Sequence, residues 1–238
     1  MAENNHIPEL RRIPGAAKYV RAVLKVPFAL LTQWRVIGLE NVPSQGPAII
    51  VSNHLSRFDA PFGFVALDRP TLTGFAADTY RRRLFFRLFL ESAGVIWVNR
   101  GQTDRATIKA AVAALKQGTI LGIAPEGTRS QTGALIEGKP GAAYLAQRAN
   151  VPLVPCAFMN TENLGAALRR LRRLPISLTF GQQFTLPALP DRSQSERLEI
   201  YTDEIMCRIA ALLPERYRGV YANHPRVREL QAPAVNPA

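Results

Sequence analysis

Two side chains five positions apart, His54 and Asp59, hold the clearest chemical potential in the sequence. They lie in Ser52-Asn53-His54-Leu55-Ser56-Arg57-Phe58-Asp59-Ala60-Pro61. An imidazole titrates near neutral pH, and a carboxylate holding one ring nitrogen leaves the other free to take a proton. Such a pair is a base with its orienter, and it lacks a nucleophile. By itself the spacing fits equally a loop histidine beside an unrelated helix-capping aspartate. Of the three histidines, His6 and His224 stand near the two ends, and His54 alone falls inside the main α/β pattern. That placement favours chemistry.

The element that must position the pair is the run Ala48-Ile49-Ile50-Val51. It is short, β-branched and ended by polar residues, so it reads as a buried strand. His54 then sits at the strand's carboxyl end, where open α/β sheets place ligands. Asp59 is expected near the cap of a helix running to about Leu67, with Pro61 in its first turn. Apolar runs at 71–77, 94–101, 119–124, 151–158 and 176–180 predict further strands. Helical patterns at 104–117 and 139–148 fall among them, and residues 165–174 gather Arg169, Arg170, Arg172 and Arg173 into a basic surface. Ser193 and Glu196 form a capping box for a closing helix, whose core face is Leu198, Tyr201, Ile205, Ile209 and Leu212. This alternation predicts an α/β fold: a mostly parallel central sheet flanked by helices on both faces. Such a sheet gathers strand ends on one rim. His54, Arg100 and the loop Pro125-Glu126-Gly127-Thr128-Arg129-Ser130 would converge there. A base, an orienter, two cations and a glycine-containing loop suit a reaction on a phosphate-bearing substrate.

The formal net charge of +12 calls for anionic partners. Residues 16–34 carry Tyr19, Val20, Val23, Leu24, Phe28, Leu30 and Leu31 among Lys18, Arg21 and Lys25. This is a basic amphipathic helix, kinked or restarted at Pro27, that suits a headgroup region with Trp34 near the interface. Residues 81–90 place Arg81, Arg82, Arg83 and Arg87 beside Phe and Leu, a second such stretch. Arginines beside apolar runs fit an anionic membrane surface better than a duplex, so no nucleic-acid partner is expected. Cys156 and Cys207 are too few and too separated for a disulfide framework or zinc cluster. No apolar h-region follows the polar first ten residues, so no secretory signal is expected, and no apolar stretch reaches transmembrane length. The expected organisation is a membrane-associating helical segment at 1–34, an α/β domain at 35–190, and a C-terminal helix and tail at 191–238 packing on the same domain.

In its motifs the chain resembles the glycerolipid acyltransferase family, whose members include 1-acylglycerol-3-phosphate acyltransferases. Four ordered blocks carry the resemblance. His54 through Asp59 matches H-x-x-x-x-D, and residues 94–100 match an apolar strand ending in Arg. Glu126-Gly127-Thr128-Arg129-Ser130 matches E-G-T-R-S, and Val151-Pro152-Leu153-Val154-Pro155 matches V-P-[IVL]-[IV]-P. The resemblance implies transfer of a fatty acyl group from acyl-CoA or acyl-carrier protein to the sn-2 hydroxyl of lysophosphatidic acid, giving phosphatidic acid. It implies that His54 takes the proton of the acceptor hydroxyl and that Asp59 fixes its tautomer. The acceptor alcohol stands where a hydrolase triad has its serine. It implies that Arg100, Glu126, Gly127, Thr128 and Arg129 hold the acceptor's phosphate end, with Asn53, Arg57 and Lys139 as further candidates. No metal or cofactor beyond the thioester co-substrate is called for. The family often has a lysine-bearing stretch after the second strand, and this chain has Ala76-Ala77-Asp78-Thr79-Tyr80-Arg81 there. Arg81 to Arg83 are candidates to replace that lysine. Peripheral attachment at the cytoplasmic face of the inner membrane is expected, because the thioester donors are cytoplasmic. The alternatives are a different acceptor, such as glycerol-3-phosphate or an amino-lipid hydroxyl, or a non-catalytic module binding anionic lipid.

Overall fold

A computed structural model describes residues 15–69, 71–98, 105–169 and 173–232. The predicted strand-end cation Arg100, the first fourteen residues of the predicted membrane segment and residues 233–238 lie outside the described residues.

Helix α1 (Ala16–Leu31) runs straight into strand β1 (Thr32–Ile37). A 3₁₀ turn then leads to β2 (Ala48–Ser52), α2 (Asp59–Ala66) and β3 (Leu72–Ala77). A second 3₁₀ turn (Asp78–Arg82) precedes α3 (Leu84–Ser92) and β4 (Ile96–Val98). Next come α4 (Arg105–Lys116), β5 (Ile120–Ile123), α5 (Gly141–Ala149) and β6 (Leu153–Met159). Helix α6 (Leu164–Arg169), β7 (Leu174–Phe180), α7 (Gln194–Ala211), α8 (Glu215–Arg218) and α9 (Pro225–Gln231) complete the described chain.

The strands form one sheet in the order β1-β7-β6-β2-β5-β3-β4. From β6 to β4 every pairing is parallel, while β7 is antiparallel to β6 and β1 is parallel to β7. The expected α/β sheet is therefore present, with a reversed pair at one side. The strand predicted at 176–180 is internal, because β1 lies outside it. Helices α1, α2 and α3 contact one another, and α4, α5 and α7 form a second contacting group. The right-handed rule for parallel crossovers puts these groups on opposite faces, since the chain reverses direction across the sheet after β4. Ile49, Ile120, Leu121, Leu153 and Leu178 are fully buried between them. This is why the central strands read as unbroken apolar runs rather than alternating ones.

Helix α1 has two apolar stripes. Leu24 and Phe28 are buried, with Ala17 and Val20 packed against the core beside them. Tyr19, Val23, Val26 and Leu30 form a separate stripe, each more than half exposed. Three- and four-residue spacing puts each set on its own face. Arg21, expected on the basic face, points inward. Its guanidinium donates to the Phe64 and Arg69 carbonyls and to Asp68, and it lies over the Phe64 ring. Trp34, expected at a lipid interface, is instead a β1 residue packed on Phe62, which also stacks on Phe28. The helix stops at Leu31, short of the predicted boundary, and Pro27 sits inside it. The capping box at Ser193 and Glu196 forms as read. Helix α9 packs on α7 and is capped by His224, whose Nδ1 accepts the Arg226 N–H while Nε2 faces Asp203 at 3.3 Å. Helices α8 and α9 lie where a tail was expected after the closing helix.

Candidate active site

The carboxyl ends of β6, β2, β5 and β3 share one rim, because these four parallel strands are neighbours. His54 follows β2. The loop 125–130 follows β5, Thr79 to Arg83 follow β3, and Thr161 follows β6. This is the crevice where open α/β sheets place their chemistry.

His54 Nδ1 lies 2.8 Å from Asp59 Oδ2. The Asp59 carboxylate is 3 % exposed and is met by donors on both oxygens. Oδ2 also accepts the Leu55 and Ser56 N–H groups at 2.7 and 2.8 Å. Oδ1 accepts the Ser56 hydroxyl at 3.3 Å and the Thr161 hydroxyl. A buried carboxylate with this many donors stays where it is. It favours the tautomer with hydrogen on Nδ1, leaving Nε2 as the acceptor. The imidazole is 31 % exposed, so a substrate can reach it. Asp59 is the first helical residue, with Phe58 as the cap. Its side chain turns back to the 54–56 loop instead of closing the helix end.

A cavity of about 240 Å³ opens beside this loop, lined by Arg57, Thr79, Tyr80, Arg83, Phe86 and Arg129. Arg57 stands three residues beyond His54. The loop bearing Arg129 is tied to the histidine itself, since the Ser130 N–H donates to the His54 carbonyl at 2.8 Å. Three guanidiniums around one small cavity are suited to holding an anion, since their planar forks match phosphate oxygens. Arg81, by contrast, lies over the Trp97 ring. Of the three consecutive arginines proposed to replace the lysine, Arg83 is the one that lines the cavity.

The acyltransferase family model matches residues 33–159, just over half of the chain, and the span includes both halves of the His–Asp pair. The chain belongs to the acyltransferase family. It is 33 % identical over 148 residues to the 1-acyl-sn-glycerol-3-phosphate acyltransferase of Borreliella burgdorferi, covering 60 % of this chain and 58 % of that one. It is 30 % identical over 197 residues to the alpha form of Ovis aries, covering 76 % and 67 %. A relative of the same name in Bacillus subtilis is 26 % identical over 195 residues, covering 82 % of this chain and 96 % of that protein. The fold is also that of the crystal structure of the 1-acyl-sn-glycerophosphate (LPA) acyltransferase PlsC from Thermotoga maritima. The TM-score is 0.66 at 22 % identity, covering 82 % of this chain and 79 % of that one.

In this member of the family the candidate residues divide between cavity-lining and buried positions. Glu126, expected at the acceptor's phosphate, has no exposure. Its Oε1 accepts the His54 N–H at 3.1 Å and its Oε2 the Ile136 N–H at 3.2 Å. It is a brace between two motif loops. Burial raises its pKa and the two N–H donors oppose that rise. Asn53 is likewise 2 % exposed, with its amide exchanging hydrogen bonds with the Phe158 backbone on β6. Gly127 takes a left-handed φ of +68°, and a Cβ there would meet the Lys139 side chain at 3.2 Å. Lys139 therefore lies across Gly127 and does not line the cavity, and exposed Thr128 does not line it either. Cys156 offers no nucleophile, since full burial pushes its thiol far above the ordinary value. The hydroxyl of Ser56 points to Asp59, and that of Ser130 donates to the Ala134 carbonyl at 2.7 Å. The motifs did not reveal Thr161, Thr79, Tyr80 or Phe86. Thr161 becomes findable only once β6 is known to lie next to β2.

Proposed function

We propose that the chain transfers a fatty acyl group from a thioester, acyl-CoA or acyl-carrier protein, to the sn-2 hydroxyl of lysophosphatidic acid. The observation that carries this reading is a base with its orienter beside a cavity of three arginines. His54 Nε2 takes the proton of the acceptor hydroxyl as that oxygen attacks the thioester carbonyl. The tetrahedral intermediate collapses with loss of the thiolate, which regains the proton from the imidazolium. The products are phosphatidic acid and free thiol, and no enzyme-bound acyl group forms. Arg57, Arg83 and Arg129 hold the acceptor's phosphate, a dianion that three guanidiniums can neutralise. The names of the relatives agree with this acceptor.

The test is thiol release from an acyl thioester on addition of lysophosphatidic acid, with glycerol-3-phosphate and a lysophospholipid lacking a terminal phosphate as comparison acceptors. Lysophosphatidic acid should be the best of the three, and no release with any phosphate-bearing acceptor sinks the reading. Replacing Arg83 by alanine should raise KM for lysophosphatidic acid by about 10–10²-fold, because a hydrogen bond to a charged group contributes roughly 1.5–3 kcal/mol. The change in kcat should be smaller, since the phosphate is remote from the reacting carbonyl.

The same proposal includes peripheral attachment to an anionic membrane, at the cytoplasmic face of the inner membrane in a bacterium-like cell. No helix among the described residues is long and apolar enough to cross a bilayer. The exposed stripe Tyr19, Val23, Val26 and Leu30 on α1 supports lying on one, with Lys18 and Lys25 also exposed on the same helix. Leu84 and Leu88 on α3, which packs beside α1, add to the exposed apolar surface. Exposed Arg82, Arg83 and Arg87 lie on the same segment. Flotation with vesicles containing anionic lipid should be strong at low salt and weaken as salt rises. Binding that is absent at low salt would remove this part of the proposal.

A further inference from the structure

The family match ends at Met159. Beyond it lie groups that reach back to the His–Asp pair. Thr161 has no exposure, and its hydroxyl donates to Asp59 Oδ1. Oδ2, by contrast, faces His54, Leu55 and Ser56. The Thr161 bond thus comes from the far side of the carboxylate, and from a different strand. The 54–56 loop fixes Oδ2 through two backbone N–H groups and reaches Oδ1 only through the Ser56 hydroxyl at 3.3 Å, so Thr161 supplies the closer hold on the carboxylate's rotation.

Thr161 is itself held in place from the C-terminal end of the chain. It opens a 3₁₀ turn, Thr161–Asn163, that follows Asn160 at a left-handed φ of 64°. Asn160 keeps that conformation with its N–H donating to the Tyr217 hydroxyl at 3.2 Å and its amide donating to the Pro175 carbonyl at 3.0 Å. The Tyr217 hydroxyl in turn donates to Glu162 at 2.8 Å. Burial and that carboxylate push the Tyr217 pKa upward. Tyr217 is anchored to the loop after the E-G-T-R-S block, since its carbonyl accepts the Leu135 N–H at 2.8 Å. Gly219 lets the chain approach that loop closely. Its φ is +51°, and a Cβ would fall 2.0 Å from the Leu135 carbonyl oxygen. The next residue of the loop, Ile136, donates to Glu126, the brace of the His54 backbone.

We infer that Thr161 is a positioning residue for the His54–Asp59 pair, and that Tyr217 sets the turn carrying it. The inference rests on the acyltransferase reading. Its physical content is that the general base works only within a narrow orientation, and a small displacement of the reacting geometry has a large effect on rate. Removing the hydroxyl leaves Oδ1 with the Ser56 hydroxyl alone. The carboxylate can then rotate, and the imidazole it holds rotates with it.

Three variants test this: Thr161→Val, which keeps volume and branching, Thr161→Ser, which restores the hydroxyl, and Tyr217→Phe, which loosens the turn without touching Asp59. Thr161→Val should lower kcat by about 10–10²-fold, in keeping with the cost of small misplacements. KM for both substrates should be unchanged. Thr161→Ser should recover most of the loss, and Tyr217→Phe should show a smaller loss of the same kind. A second readout is the Nδ1–H proton resonance of His54, which reports its bond to Asp59 whether or not turnover occurs. It should move or broaden in Thr161→Val and return in Thr161→Ser. Wild-type kcat together with an unchanged resonance in Thr161→Val overturns the inference. So does a loss of kcat that Thr161→Ser fails to recover. If Thr161→Val does not fold, Tyr217→Phe decides: a resonance and kcat equal to wild type overturn the inference. If the unaltered protein releases no thiol with any acceptor, the acyltransferase reading falls, and the resonance still decides the positioning claim.

Discussion

Replacing His54 by alanine is expected to lower turnover by roughly 10²–10⁴-fold, the range a general base contributes. The structure makes this a clean measurement. The His54 backbone is held independently of its ring: its N–H goes to Glu126 and its carbonyl accepts from Ser130. The ring is about a third exposed and leaves no large cavity when removed. The variant should therefore melt within a few degrees of the wild type and bind the acceptor with similar affinity. Steady-state thiol release and a thermal melt check both halves. A fully active His54→Ala protein would show that Nε2 is not the base, and the proposed mechanism would fail with it.

Replacing Asp59 by asparagine should cost nearly as much for a different reason. Oδ2 accepts from two backbone N–H groups, whereas Oδ1 meets two hydroxyls. Hydroxyls can turn to accept as well as donate, and backbone N–H groups cannot. The asparagine carbonyl should thus occupy the Oδ2 position and its NH₂ the Oδ1 position, where the two hydroxyls can accept from it. His54 then keeps its tautomer. What is lost is the negative charge that stabilises the imidazolium formed as the acceptor hydroxyl is deprotonated. The expected loss in kcat is roughly 10²–10⁴-fold, the range that general-base catalysis contributes. The fold should be retained. Asp59→Ala is the contrast, because it leaves buried N–H groups of Leu55 and Ser56 unpaired at about 1–3 kcal/mol each. It should lose stability as well as rate. If asparagine at 59 keeps wild-type kcat, the carboxylate's role is orientation alone.

The contrast between Glu126 and Arg129 shows where motif reading stops. Both belong to one short block, with two residues between them, and both read as substrate ligands. In the fold Glu126 faces inward and is sealed, while Arg129 faces the cavity. The choice depends on which way a left-handed turn at Gly127 sends the chain, and residue types alone do not set that direction. Arg81 and Arg83 make the same point two positions apart. The 3₁₀ turn at Asp78–Arg82 and the helix after it send one to Trp97 and the other to the cavity. The continuous helical stretch expected over these residues would have placed them differently. Trp34 is a third case. Its helical context ended at Leu31, because β1 gains a pairing with β7, a strand more than 130 residues away in sequence.

By itself the sequence determined the alternation of strands and helices and the mostly parallel sheet, and it placed His54 and Asp59 within reach of each other. These follow from short-range physics. Apolar runs and their periods set elements, and six residues between a strand and a helix can fold a carboxylate onto an imidazole. Tertiary structure alone decided the strand order, which brings β6 beside β2 and so delivers Thr161 to Asp59. It also decided that Arg57, Arg83 and Arg129 share one cavity, and that the Tyr217 hydroxyl, near the other end of the chain, accepts from Asn160 in the turn behind the His–Asp pair. Those contacts join residues 26 to 102 positions apart, and the free energy that selects them comes from burying the whole core, which no local window of sequence contains.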